Sequence, residues 1–204
     1  MSGNHAGEHH RHPESSASVR ARALESLLVE KGLTASDVVD KVISAYEDDI
    51  GPRNGARVIA RAWVDPAYKA RLLENATDAV EDLGFGGALI AVVENTPTVH
   101  NLVVCTLCSC YPSALIGLPP SWYKSFAYRS RAVIEPRAVL REFGLELDDS
   151  VGVRVWDSSS ELRYMVLPMR PAGTESLTED QLVGLITRDA MIGVAVVPAP
   201  ALAG

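Results

Sequence analysis

The spacing of apolar residues changes character part-way along the chain. From Val19 to Leu83 it is helical: Val19, Ala23 and Leu27 share a face with Leu24 and Leu28 beside it, and Gly32 follows as a stop. Thr34 starts a second helical pattern with Val38, Val39, Val42, Ile43 and Tyr46 as its stripe, ended by Gly51-Pro52. A third carries Val58, Ile59, Ala62 and Trp63. Asp65-Pro66 then offers an N-cap and a first-turn proline to a fourth, running through Tyr68, Leu72, Leu73, Ala76 and Val80. These faces are too narrow to build a thick core alone, so residues 18–84 are expected to form a helical arm that packs on the rest of the chain or on a partner subunit.

After Gly84 the pattern turns to short β-rich runs at Ala88 to Val93, His100 to Val104, Val151 to Trp156 and Tyr164 to Leu167, with turns and short helices between. Pro136 opens a helix that stops at Gly144, and Thr178-Glu179-Asp180-Gln181 is a capping box. An α+β fold follows, the helical arm leading into a layered α-β-β-α domain over residues 85–204. Residues 1–17 lack hydrophobic periodicity and hold His5, His9, His10 and His12 among Ser, Gly, Glu and Pro, which reads as a disordered, solvated tail.

Composition narrows the function classes. With 47% hydrophobic and 22% charged residues the chain can bury a core, which excludes global disorder. A net charge of −7 with no dense Lys/Arg run argues against nucleic acid as a partner. No basic stretch leads into an apolar one at the N-terminus, and the uncharged stretch from Met191 to Gly204 is short and broken by Pro198 and Pro200. A cytoplasmic location without a membrane span is expected.

The three cysteines fall within Val104-Cys105-Thr106-Leu107-Cys108-Ser109-Cys110-Tyr111-Pro112, which rules out a scattered disulfide framework. In an extended strand Cys108 would point away from Cys105. If the chain curls just after Val104, all three sulfurs can face one point and the backbone nitrogens of Ser109 and Cys110 turn inward, a soft donor set suited to a transition metal. Two other readings stay open: small buried hydrophobes, or half of a structural zinc site for which His100 is the nearest fourth ligand. A strand spacing of five puts His100 on the face opposite Cys105, where it reads better as a structural histidine.

The Cys105-Thr106-Leu107-Cys108-Ser109-Cys110 motif resembles the metal claw of nitrile hydratase alpha subunits. Thr106, where iron-type members usually carry Ser, resembles the cobalt type. The likeness extends from the Tyr46-Glu47 and Gly51-Pro52 region through Ala62-Trp63-Val64-Asp65-Pro66, Gly117-Leu118-Pro119-Pro120, Tyr128-Arg129-Ser130-Arg131, Val155-Trp156-Asp157-Ser158-Ser159 and Arg170-Pro171-Ala172-Gly173-Thr174 to Met191-Ile192-Gly193.

The resemblance implies an enzyme, a hydro-lyase converting a nitrile to the amide, with one non-corrin Co(III) per alpha subunit. Its ligands would be the sulfurs of Cys105, Cys108 and Cys110 and the ionised backbone amides of Ser109 and Cys110. Cys108 would be oxidised to sulfinic and Cys110 to sulfenic acid, and the attacking group would be an oxygen carried by Cys110 or an activated water. Asp157 and Glu161 resemble the family's outer carboxylate pair, the alternative being a surface salt bridge from Glu161 to Arg163. The implied partners are a beta subunit of one or two polypeptides and a cobalt-delivery activator protein. Two other functions compete: the cobalt subunit of thiocyanate hydrolase, which shares the claw, and, from a different class, a non-catalytic zinc-binding interaction module.

Two departures bear on the substrate. Where the family pattern has Tyr-Pro-Trp-Pro, this chain has Tyr111-Pro112-Ser113-Ala114, and the stretch between Gly87 and Glu94 is shorter and lacks a Gln-Gly-Glu segment. Both remove side-chain volume, which suggests a pocket accepting a bulky heteroaromatic or nucleoside nitrile. Ser113, Trp122 and Tyr123 are its candidate walls, with ordinary core packing an equal alternative for the two aromatics.

Overall fold

The computed structural model describes residues 16–35, 37–38, 41, 51–86 and 88–200. The His-rich tail and most of the second helical stripe (Val39, Val42, Ile43 and Tyr46) lie outside the described residues. The chain divides into two compact units, Met1–Ile43 and Ser44–Gly204.

The described part of the first unit is dominated by helix α1 (Ser16–Glu30), which ends where Gly32 takes a positive φ of 66°. On this helix Leu24 is 60% and Leu27 51% exposed.

The second unit opens with α2 (Gly51–Val64), α3 (Pro66–Glu74) and α4 (Ala76–Glu81). Gly51-Pro52, expected to end one helix, begins the next, since proline's fixed φ and missing N–H suit a first turn as well as a stop. Asp65 caps α3, accepting from the amides of Ala67 and Tyr68 at 3.0 Å, with Pro66 in the first turn. Val58, Ile59, Ala62, Tyr68, Leu72 and Val80 are all buried in the same core as the strands. The narrow stripes of these helices are thus satisfied inside the unit.

The strands are β1 (Ile90–Glu94), β2 (Val99–Val104), β3 (Gly152–Asp157) and β4 (Arg163–Leu167). They form two parallel pairs, β1 with β4 and β2 with β3, in registers Ile90 to Arg163 and Val99 to Gly152. A turn closed by the Thr96–Val99 bridge carries the chain from β1 to β2. Five of the six residues of β2 are buried, the pattern of a strand covered on both faces. β3 alternates between exposed and half-buried positions, with Arg154 facing solvent as on a protected edge.

Helices α3 and α4 contact β1, while α7 (Phe126–Ile134) contacts β2 and α8 (Pro136–Glu142) contacts β3. This is the layered α-β-β-α arrangement the sequence predicts. Between them lie the single turns α5 (Ser113–Ile116) and α6 (Ser121–Lys124), and the chain closes with α9 (Glu179–Val183) and α10 (Arg188–Ile192). Thr178 and Gln181 form the expected capping box.

One buried polar cluster ties these layers together. Asn95 accepts from the Asn101 amide at 2.7 Å, Asn101 accepts from the Trp156 indole at 2.8 Å, and His100 contacts Asn95 at 3.3 Å and the Gly193 carbonyl at 2.7 Å. Gly193 itself has φ 94°, and a Cβ there would stand 2.0 Å from the Asn101 carbonyl oxygen, so the close approach of α10 to β2 needs glycine. No helix among the described residues is long and apolar enough to cross a membrane.

Candidate metal centre

β2 delivers Cys105 into the core with no exposed surface, and the chain then leaves extended geometry. It returns at Tyr111, which is buried with its hydroxyl donating to the Ile116 carbonyl at 3.3 Å. The intervening loop brings three sulfurs together: Cys105 to Cys108 at 3.4 Å and Cys108 to Cys110 at 3.2 Å, all within 4.8 Å of one another. The Cys108 amide donates to the Cys105 sulfur at 3.3 Å, and the amides of Ser109 and Cys110 both interact with the Cys108 sulfur. The backbone therefore turns its N–H groups inward.

Cys108 and Cys110 influence each other's ionisation. Hydrogen bonds from Cys110, from Cys105 and from the Ser109 amide lower Cys108 to about 7. Desolvation and the neighbouring Cys108 sulfur raise Cys110 to about 12. One proton leaves readily because the remaining donors stabilise the first thiolate, and further loss waits for a cation.

The donor set fits a transition ion better than structural zinc. Two sulfurs bonded to one ion at about 2.3 Å lie about 3.8 Å apart at the tetrahedral angle and about 3.3 Å apart at a right angle. The observed 3.2 and 3.4 Å match the right angle. Among the described residues no histidine or carboxylate joins the three cysteines as a fourth ligand. His100 is already engaged, buried with both ring nitrogens in contact with Asn95 and Gly193. The fully buried-hydrophobe reading also fails, because Cys108 is exposed and Cys110 only half-buried.

A shell of neighbours holds the loop. Asp157, at the end of β3, accepts from the Thr106 amide at 2.9 Å and from its hydroxyl at 2.6 Å. The Tyr123 hydroxyl donates to the Cys110 carbonyl at 3.0 Å, and Tyr128 donates to the Val103 carbonyl at 2.6 Å. Burial pushes Tyr123 well above the ordinary tyrosine range and does the same to Tyr128, keeping both as neutral donors. Arg129 donates through Nη1 to the Cys108 carbonyl at 3.1 Å and the Thr106 carbonyl at 3.4 Å.

The expected residues are thus distributed unevenly. Cys105, Cys108, Ser109, Cys110 and Asp157 meet at one place. Glu161 is exposed and its side chain makes no hydrogen bond to the loop, and no ion pair joins it to Arg163 among the described residues. Tyr123 is fully buried, and Trp122 packs edge-on to Tyr128 and Phe143 at 4.9 and 4.7 Å, so both make core contacts. Ser113 is exposed at the start of α5. Arg129 and Tyr128 were not anticipated as contacts of the loop; the Tyr-Arg-Ser-Arg stretch that contains them was the available signal.

Comparison with known proteins places these features. Residues 15–195 match the family described as nitrile hydratase, alpha chain. A low-molecular weight cobalt-containing nitrile hydratase subunit alpha of Rhodococcus rhodochrous is 57% identical over 187 residues, covering 90% of each chain. The gamma subunit of thiocyanate hydrolase from Thiobacillus thioparus is 43% identical, over 88% of this chain and 79% of that protein. Among solved structures, a double mutant of the Fe-type nitrile hydratase of Comamonas testosteroni superposes with a TM-score of 0.78 at 44% identity, covering 93% of this chain and 98% of the other. The chain belongs to the nitrile hydratase alpha-chain family. It is a catalytic alpha subunit of a hydro-lyase, and as an alpha subunit it works in a heteromer with a beta subunit.

Proposed function

We propose that the chain hydrates a nitrile to its amide at one non-corrin Co(III) held by Cys105, Cys108 and Cys110 through sulfur and by Ser109 and Cys110 through backbone nitrogen. The observation that carries this reading is the convergence of three sulfurs within 4.8 Å, Cys108 at right-angle spacing from each of the other two, with inward-facing amides between them. The similarity to cobalt-containing subunits and Thr106 support cobalt over iron. Bound there, the ion would supply Lewis acidity for a nitrile or a water.

The chain's own residues do the rest. Asp157 fixes Thr106 and with it the start of the loop, while Tyr123 fixes its end at the Cys110 carbonyl. By the family resemblance Cys108, whose thiol its neighbours lower and which is exposed, is the proposed sulfinic acid and Cys110 the proposed sulfenic acid, each oxidised by dioxygen once held as a thiolate by the ion. Oxidised in this way, Cys110 would carry an oxygen suited to act as a nucleophile, and Ser109 would act through its backbone nitrogen. Glu161 is proposed to act beside Asp157 once the beta subunit covers this face. Delivery of the metal by an activator protein belongs to the same reading.

Ser113 in place of a bulky indole supports a roomy pocket and a heteroaromatic or nucleoside nitrile as substrate. Thiocyanate hydrolase remains the second reading, favoured by the 43% identity of its gamma subunit and weakened by the higher 57% to a nitrile hydratase. The complex co-expressed with its beta subunit and cobalt separates these possibilities. Cobalt rather than zinc, oxygen mass increments on the Cys105 to Cys110 peptide, and faster turnover of a cyano-nucleoside than of acrylonitrile are expected. Preference for acrylonitrile overturns the bulky-substrate reading, and turnover of thiocyanate alone overturns nitrile hydration.

A further inference from the structure

We propose that Arg129 is a positioning residue of the metal centre, holding the loop's backbone through the Thr106 and Cys108 carbonyls so that the Ser109 nitrogen is presented to the ion. This rests on the reading of Cys105 to Cys110 as the cobalt site.

Peptide geometry ties the carbonyl that Arg129 touches to the nitrogen the ion would need. The Cys108 carbonyl and the Ser109 nitrogen belong to one planar unit, so fixing the oxygen fixes the direction of the nitrogen across the same bond. Arg129 Nη1 stands 3.1 Å from that oxygen. The same nitrogen lies 3.4 Å from the Thr106 carbonyl, so one guanidinium N–H group spans the first half of the loop. Asp157 holds the other side of Thr106, by its amide and hydroxyl. Thr106 is therefore gripped by an anion at its donors and by a cation at its acceptor.

Charge points the same way. The three sulfurs lie within 4.8 Å of one another, a compact soft donor set. Among the described residues Arg129 is the guanidinium in hydrogen-bond contact with this loop, and no carboxylate pairs with it, so its charge is not spent elsewhere. Its Nε is buried without a partner among the described residues.

The position is also well supported. Helix α7 is capped by Ser125, whose hydroxyl accepts from the Tyr128 amide at 3.1 Å, and Tyr128 on the preceding position is anchored to Val103. Arg129 thus projects from a fixed turn of helix rather than from a loop.

The test compares Arg129→Lys and Arg129→Gln with the unmodified complex, each co-expressed with the beta subunit and cobalt. Cobalt per heteromer, the absorption bands of bound cobalt, and the melting temperature and size of the metal-free complex are read together. Cobalt retained after dialysis is expected to fall on the order of tenfold in Arg129→Gln. Arg129→Lys, which keeps the charge but loses the fork, should recover part of the loading with a shifted absorption band. The melting temperature should be nearly unchanged in both. Wild-type cobalt content and bands in both variants overturn the proposal, as does a loss of loading that simply parallels loss of assembly or melting temperature. Cys108→Ala is the control for the site itself: if it loads cobalt normally, the reading of the claw fails, whereas normal loading in the arginine variants alone sinks only the role of Arg129.

Discussion

Asp157 makes two hydrogen bonds to one residue, and that residue opens the metal-binding loop. Replacing the carboxylate by an amide keeps the shape but swaps one acceptor for a donor that faces the Thr106 amide or hydroxyl. Asp157→Asn is therefore expected to lose between about ten- and a hundredfold in cobalt affinity or turnover, measured on the assembled complex. An unchanged value for both would remove Asp157 from the account. At this scale the loop was legible because its information is local: three thiols in six residues admit few arrangements once the strand before them is buried. Arg129 was not legible, because it lies 21 residues from Cys108 and meets it only through the placement of a helix. Tyr123 was legible as a neighbour of the loop but not as a support, since the direction of its hydroxyl depends on the fold.

Among elements, β2 does most to position the site, and its first half carries a titratable group. His100 is buried, and desolvation lowers it below the ordinary histidine value of about 6.5. The unfolded chain takes up a proton near that value which the folded chain resists. The stability associated with neutral His100 is thus fully present above pH 6.5 and is lost as the pH falls below it, by up to about 1.4 kcal/mol per pH unit for one proton. Denaturant midpoints at pH 7.5 and 5.5 should show this loss in the native chain and a smaller one in His100→Gln; identical losses would assign the pH dependence to other groups. The four strand segments were readable to within about two residues from their alternating and apolar runs. Their parallel pairing was not, because Ile90 pairs with Arg163 and Val99 with Gly152 across long intervening stretches whose helices decide the register. The double meaning of Gly51-Pro52, stop or start, is the same problem on a smaller scale.

For the whole molecule, the apolar side chains of α2 to α4 are consumed inside the second unit, while Leu24 and Leu27 of α1 are exposed. The expected packing of the N-terminal arm on a partner is therefore a proposal carried by α1. Leu24→Asp with Leu27→Asp is expected to weaken association with the beta subunit by about a hundredfold or more, roughly the loss of two buried leucines, while leaving the melting temperature of the isolated alpha chain unchanged. Light scattering and calorimetry check the two halves, and unimpaired association would place the partner elsewhere. Function at this scale depends on the claw being loaded in the complete heteromer. The most direct measurement is cobalt X-ray absorption on the complex co-expressed with its beta subunit. The account predicts a shell of three sulfurs near 2.3 Å accompanied by lighter nitrogen or oxygen neighbours. A tetrahedral site, or a cobalt environment without sulfur, would contradict it.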